Sequence, residues 1–78
     1  MNLKNLLFAD GFNEAIIGLG RKKGCSESIV YDYEKCVDIL IKRDEMQHEE
    51  AVEFMEYNVV DAYVGENTPI FVLRGFEL

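Results

Sequence analysis

Tyr31, Asp32, Asn58, Glu66 and Asn67 are the side chains whose types could do chemistry together in this chain of 78 residues. A phenol, two carboxylates and two amides around one pocket can bind a polar metabolite. They can also act as acid and base where burial shifts a carboxyl toward neutrality. Asn58 is the reason to group them. It falls within an apolar stripe at helical spacing, Ala51, Phe54, Met55, Val59, Ala62 and Tyr63, and on that pattern it faces the core. A buried amide is costly if unpaired, so something polar must meet it, and the turn Gly65-Glu66-Asn67-Thr68-Pro69 is the nearest candidate. The same residues also have a structural reading: Asp32 caps a helix, Asn58 ties down that turn, and Asn67 or Thr68 makes a local turn bond.

Other chemistries find less support. His48 is the only histidine, beside Glu49, with no serine in a nucleophile elbow and no neighbouring cysteine, so it reads as a surface residue. Asp44, His48, Glu49 and Glu53 gather near one turn but lack calcium-loop spacing, and no CxxC pair offers a zinc site. Gly18-Leu19-Gly20-Arg21-Lys22-Lys23-Gly24 imitates a dinucleotide fingerprint, but its third glycine comes one residue late and no helix follows to receive a phosphate. Neither a metal nor a cofactor is expected.

The elements that must position these residues can be read from periodicity. Residues 15–20, β-branched at the centre and punctuated by glycine, predict a strand, and residues 28–31 a second one across a polar loop. Asp32 then opens a helix whose apolar residues Tyr33, Cys36, Val37, Leu40 and Ile41 recur at i, i+3, i+4, i+7 and i+8. Lys42 and Arg43 complement its dipole before a stop near Asp44. A second helix runs over residues 47–63, with Glu49, Glu50 and Glu53 at its start and Gly65 beyond its end. Residues 70–73 form a third strand. The predicted fold is α+β, one domain over residues 1–78: a small three-stranded antiparallel sheet with a two-helix layer, in the order β-β-α-α-β. Both sheet faces carry apolar residues, so the second face needs a cover, either residues 3–8 or another subunit.

Composition narrows the partners. Eight basic and fifteen acidic residues give a net charge of −7, which disfavours a phosphate backbone. Arg21-Lys22-Lys23 is the one basic cluster, with no aromatic interleaved, and nucleic acid is not an expected partner. Cys25 and Cys36 do not make a disulfide framework, and no run approaches the roughly 18 apolar residues of a membrane span. A cytoplasmic location, without membrane association, is the expectation. Ile39 and Val60 fall on otherwise polar helix faces and point to self-association as a homodimer.

Tyr31-Asp32-Tyr33-Glu34-Lys35-Cys36, Glu49-Glu50-Ala51, Asn58 and Ala62-Tyr63-Val64-Gly65-Glu66-Asn67-Thr68-Pro69 resemble a group of small uncharacterised bacteriophage and environmental proteins. The resemblance covers residues 12–72 and implies a viral or microbial origin, in which case the cytoplasm is that of the host. It brings no activity. In that group a glycine commonly stands at the position of Glu45 and a small capping residue at that of Gln47, so this chain departs in the interhelical turn. The expected function is that of a non-enzymatic accessory protein acting through protein–protein binding. The alternative is a small-molecule-binding or catalytic protein with a polar pocket around Asn58.

Overall fold

A computed structural model describes residues 6–21, 27–61, 65 and 67–74. After a single 3₁₀ turn, Asn13–Ala15, come strands β1 (Ile16–Gly20) and β2 (Ser28–Asp32), helices α1 (Tyr33–Asp44) and α2 (His48–Phe54), a π-helical turn (Met55–Val60) that continues α2, and strand β3 (Ile70–Val72). The α+β class and the element order are as the sequence predicts.

Asp32 ends β2 and caps α1, its Oδ1 accepting from the Lys35 amide at 3.2 Å. Along α1 the predicted stripe turns inward: Tyr33, Cys36, Val37 and Leu40 are buried and Ile41 is half-buried. With Phe12 and Ala15 ahead of β1, Ile29 and Tyr31 of β2, Ala51 of α2 and Met55 of the π-helical turn, they form the core. Burying a side chain such as Leu40 stabilises the fold by about 1.5–3 kcal/mol.

The sheet departs from expectation in one respect. β2 is central; β1 pairs with it antiparallel, but β3 pairs with it parallel, Val30 beside Ile70 and Tyr31 beside Phe71. Both helices lie between β2 and β3 in the chain, a crossover long enough to permit a parallel return without dictating it. The sheet is therefore mixed. A bulge between Ile16 and Gly18 interrupts the β1 ladder. On the face away from the core, a Cβ on Gly20 would lie 2.8 Å from Val30 Cγ2 and 3.3 Å from Ile70 Cδ1, so glycine permits that close approach. The described part of the leading segment does not cover this second face. Leu6 and Ala9 pack instead against the core, where the Ala9 amide donates to the Tyr31 hydroxyl at 2.7 Å.

Glu45 ends α1 in the left-handed region, φ 57°, with its amide donating to the Leu40 carbonyl. Across the turn, Glu50 Oε1 accepts from the Gln47 amide at 3.3 Å and opens α2. Glutamate at such a φ carries a steric cost of roughly 1–2 kcal/mol that glycine escapes, partly offset by the greater freedom of glycine in the unfolded chain. Glu45→Gly is therefore expected to stabilise the protein by about 0.5–1 kcal/mol. Urea unfolding should show a higher midpoint at unchanged slope; a lower midpoint would contradict this account of the turn.

Candidate functional site

The sequence-predicted residues are distributed along the sheet rather than gathered. Tyr31 is fully buried, its ring stacked on Phe71 with centroids 5.3 Å apart and its hydroxyl occupied by Ala9. Asp32, at the far end of β2, is both helix cap and partner of Arg74 at 3.3 Å. Asn67 donates its side-chain amide to the Glu27 carbonyl at 2.7 Å, just before the opposite end of β2. Five residues of strand, roughly 16 Å, therefore separate the groups around Asp32 and Asn67. Glu66 lies outside the described residues, as do Cys25, Lys22 and Lys23.

Asn58 does not face the core; it is exposed. The cause is the π-helical turn. Its i→i+5 hydrogen bonds widen the spiral, each residue turns less about the axis, and α-helical spacing fails beyond Phe54. Ala51, Met55 and half-buried Val59 continue the inward line, and Asn58 is carried off it. Ala62 and Tyr63, the rest of the predicted stripe, lie outside the described residues. No hydrogen bond joins the Asn58 side chain to the 65–69 turn among the described residues; the turn is closed by Thr68 N donating to the Gly65 carbonyl at 3.1 Å.

Asn58 instead borders a groove of about 330 Å³, walled by Phe8, Phe12, Phe54, Val59 and Phe71, with Asp10 at its rim. The leading segment makes one wall and is pinned from two sides. Ala9 is held by Tyr31, and the Gly11 carbonyl accepts from Arg43 Nη1 at 2.7 Å. The Arg43 guanidinium also lies 5.6 Å over the Phe12 ring. Gly11 has φ 90°, and a Cβ there would sit 3.0 Å from Arg43 Nη1, so this contact requires glycine. The remaining guanidinium nitrogens pair with both Asp44 oxygens at 3.0 Å, which holds the Asp44 carboxyl below its ordinary pKa. Sequence reasoning missed this groove. The signal it could have used was Gly11-Phe12: a turn glycine followed by an aromatic large enough to dock on α1.

Two further clefts flank α1. One, about 560 Å³, runs between Asn13 and the α1 residues Lys35, Ile39 and Lys42. Ile39 is thus half-buried against the core rather than free on a polar face, whereas Val60 is exposed on the π-helical turn. The other, about 380 Å³, joins Tyr33, Val52 and Leu73 beside exposed His48. Among the described residues no group of three or more His, Cys, Asp or Glu is placed to hold a metal ion, and no helix is long and apolar enough to cross a membrane.

Fold and groove together define a small α+β domain with an aromatic recess beside its parallel edge strand. No family model, curated protein or solved structure matches the chain.

Two buried groups tie the helices to pH. Burial, with the charge of Asp32 adding to it, pushes the Cys36 thiol up to about 11. Burial and a 2.7 Å hydrogen bond donated to Glu56 push the Tyr33 hydroxyl up to about 12. In both, the fold favours the neutral form. The unfolded thiol and phenol ionise near their ordinary 9.0 and 10.0, so above pH 9.0 the unfolded state binds fewer protons. Stability should be full below pH 9.0 and fall as pH rises toward about 12. Denaturant midpoints across that range should decline, and Cys36→Ala should flatten the part up to about 11. A level wild-type profile would refute the burial of these two protons.

Proposed function

We propose that this protein is a non-enzymatic accessory protein that works by protein–protein binding, with the aromatic groove beside Asn58 as its recognition surface. The observation that carries the reading is the contrast between polar and apolar side chains. Tyr31, Asp32, Asn67 and Tyr33 all have structural partners, so these four polar groups are already engaged. Large apolar side chains are left at the surface: Phe8 is 58% exposed at the groove, and Tyr57, 76% exposed, stands on the π-helical turn beside it. An apolar recess with an amide at its border suits an aliphatic or aromatic side chain whose own peptide group pairs with Asn58. Asp10 at the rim and the net charge of −7 favour a basic partner, the Arg43 guanidinium that also lines the recess being paired with Asp44. The resemblance to phage and environmental proteins gives the reading its viral or microbial setting.

The alternative, a small-molecule or catalytic pocket around Asn58, keeps one observation in its favour, since an amide and the Asp10 carboxylate reach the same recess. In that case a low-molecular-weight ligand, not a protein, would be displaced by groove substitutions.

Immobilised wild-type protein should retain a discrete protein from lysate of its natural host, and Phe8→Glu should reduce that retention about tenfold or more. Phe8 is exposed, so circular dichroism of the variant should match wild type. Retention that ignores Phe8→Glu, or no retained protein at all, removes the groove as a protein-binding surface.

A further inference from the structure

We infer that β1 is a self-association strand: two copies of this chain join antiparallel along their β1 edges, about a two-fold axis at Gly18, extending each three-stranded sheet into a six-stranded one. This surface is separate from the groove and does not depend on it. The sheet order leaves β1 and β3 as the two edges; at the start of β1 the Ile16 amide donates to the Asn13 carbonyl, and from Ile17 to Gly20 no backbone hydrogen bond joins the outer edge to another described segment. Such edges invite another strand unless charge, proline or brevity protects them. β3 has two of those protections, being three residues long and preceded by Pro69. β1 has five residues, Ile-Ile-Gly-Leu-Gly, without a charge or a proline, in a chain that is 29% charged. Its one protection is the bulge between Ile16 and Gly18.

The sequence around β1 is complementary to itself in one orientation. With Gly18 opposite Gly18 of the second copy, Ile17 falls opposite Leu19 and Leu19 opposite Ile17. Both side chains are exposed in the single chain, by 46% and 44%, and the paired arrangement covers both as cross-strand aliphatic pairs. On the other face Gly18 contributes no side chain, and nothing lies within 4 Å of where its Cβ would be, so two glycines can meet on the axis. Charge selects the antiparallel sense. Glu14 stands before β1 and Arg21 after it, and only antiparallel pairing brings the acid of each copy to the end holding the base of the other. A parallel arrangement places like charges together. Arg21 already contacts Glu27 at 3.3 Å with a side chain 65% exposed, an ion pair weak enough to rearrange.

The charge of −7 on each copy and the shortness of the ladder set the strength. A ladder of five residues per copy makes a small interface, so association belongs to the weak, concentration-dependent regime.

Sedimentation velocity of the full chain from about 1 μM to 1 mM, a span chosen to bracket weak affinities, should show a monomer–dimer equilibrium. Leu19→Lys should weaken dimerisation at least about tenfold, whereas Val60→Lys, equally exposed but on the π-helical turn, should leave it unchanged. Glu14→Arg and Arg21→Glu should each weaken it, and the double exchange should restore it. Phe8→Glu should not alter it, which keeps this test apart from that of the groove. A monomer throughout the range overturns the inference. So does a dimer indifferent to Leu19→Lys or sensitive to Val60→Lys, and a charge exchange that fails to rescue shows the strands are not antiparallel about Gly18.

Discussion

Tyr31 sits where the parts of this small domain meet, and each depends on its being a tyrosine. It occupies the central strand and is wholly buried. Its ring stacks against Phe71 of the parallel neighbour, so the side chain supports the strand pairing that the backbone makes at the same position. Its length carries the hydroxyl to the Ala9 amide, which fixes that stretch of the leading segment against the core. A phenylalanine would preserve the stacking and leave that amide without its acceptor; a leucine would lose both. Burial raises the hydroxyl pKa and the amide hydrogen bond partly offsets this, so the group stays neutral and serves as an acceptor rather than as an acid. The residue that sequence reasoning placed in a pocket wall is instead what holds one wall of the groove in place.

What could be read from the sequence was whatever is local and regular. α1 was legible almost residue by residue, because a carboxylate cap, an unbroken 3.6-residue stripe and two cations in the last turn all agree. The strands were legible because β-branched and aromatic residues fill them and glycine, proline or polar loops punctuate the chain around them. The direction of β3 was not, since element order alone does not say on which edge a returning strand lands or which way it runs. Asn58 was misplaced for a different reason. Periodicity arguments assume a constant turn, and the chain passes from α to π geometry at Met55, so a prediction correct at Ala51 is wrong seven residues later. The interhelical turn carried a readable warning: Glu45 stands where a glycine is the natural choice, and it takes the left-handed conformation that a glycine would adopt without strain.

The candidate site follows from the same distinction. Asp32, Asn67 and Tyr33 are polar because they terminate elements or bridge them, and each has its partner within the fold. Sequence alone cannot separate a polar residue that holds a structure together from one that waits for a ligand, because both need the same atoms. The groove was invisible for the complementary reason. Its walls come from the leading segment, the second helix and β3, and the contacts of Arg43 with Gly11 and Phe12, together with the Tyr31 bond to Ala9, bring the first of these into place.

A chain of this length has too little interior to hide all its large apolar side chains. Among those left outside, Ile17 and Leu19 on β1 and Phe8 at the groove beside β3 lie at opposite margins of the sheet. Because β2 lies between the two edge strands, they are separated by two strand spacings, roughly 10 Å, and a second copy on β1 leaves the β3 side uncovered. Paired about Gly18, the two grooves fall at the outer margins of one continuous sheet. Weak binding at each groove would then be multiplied by the other whenever a partner presents two copies of its own recognition segment at a matching separation. Association through β1 and recognition beside β3 are thus compatible uses of one sheet, and the central Tyr31 supports the second without taking part in the first.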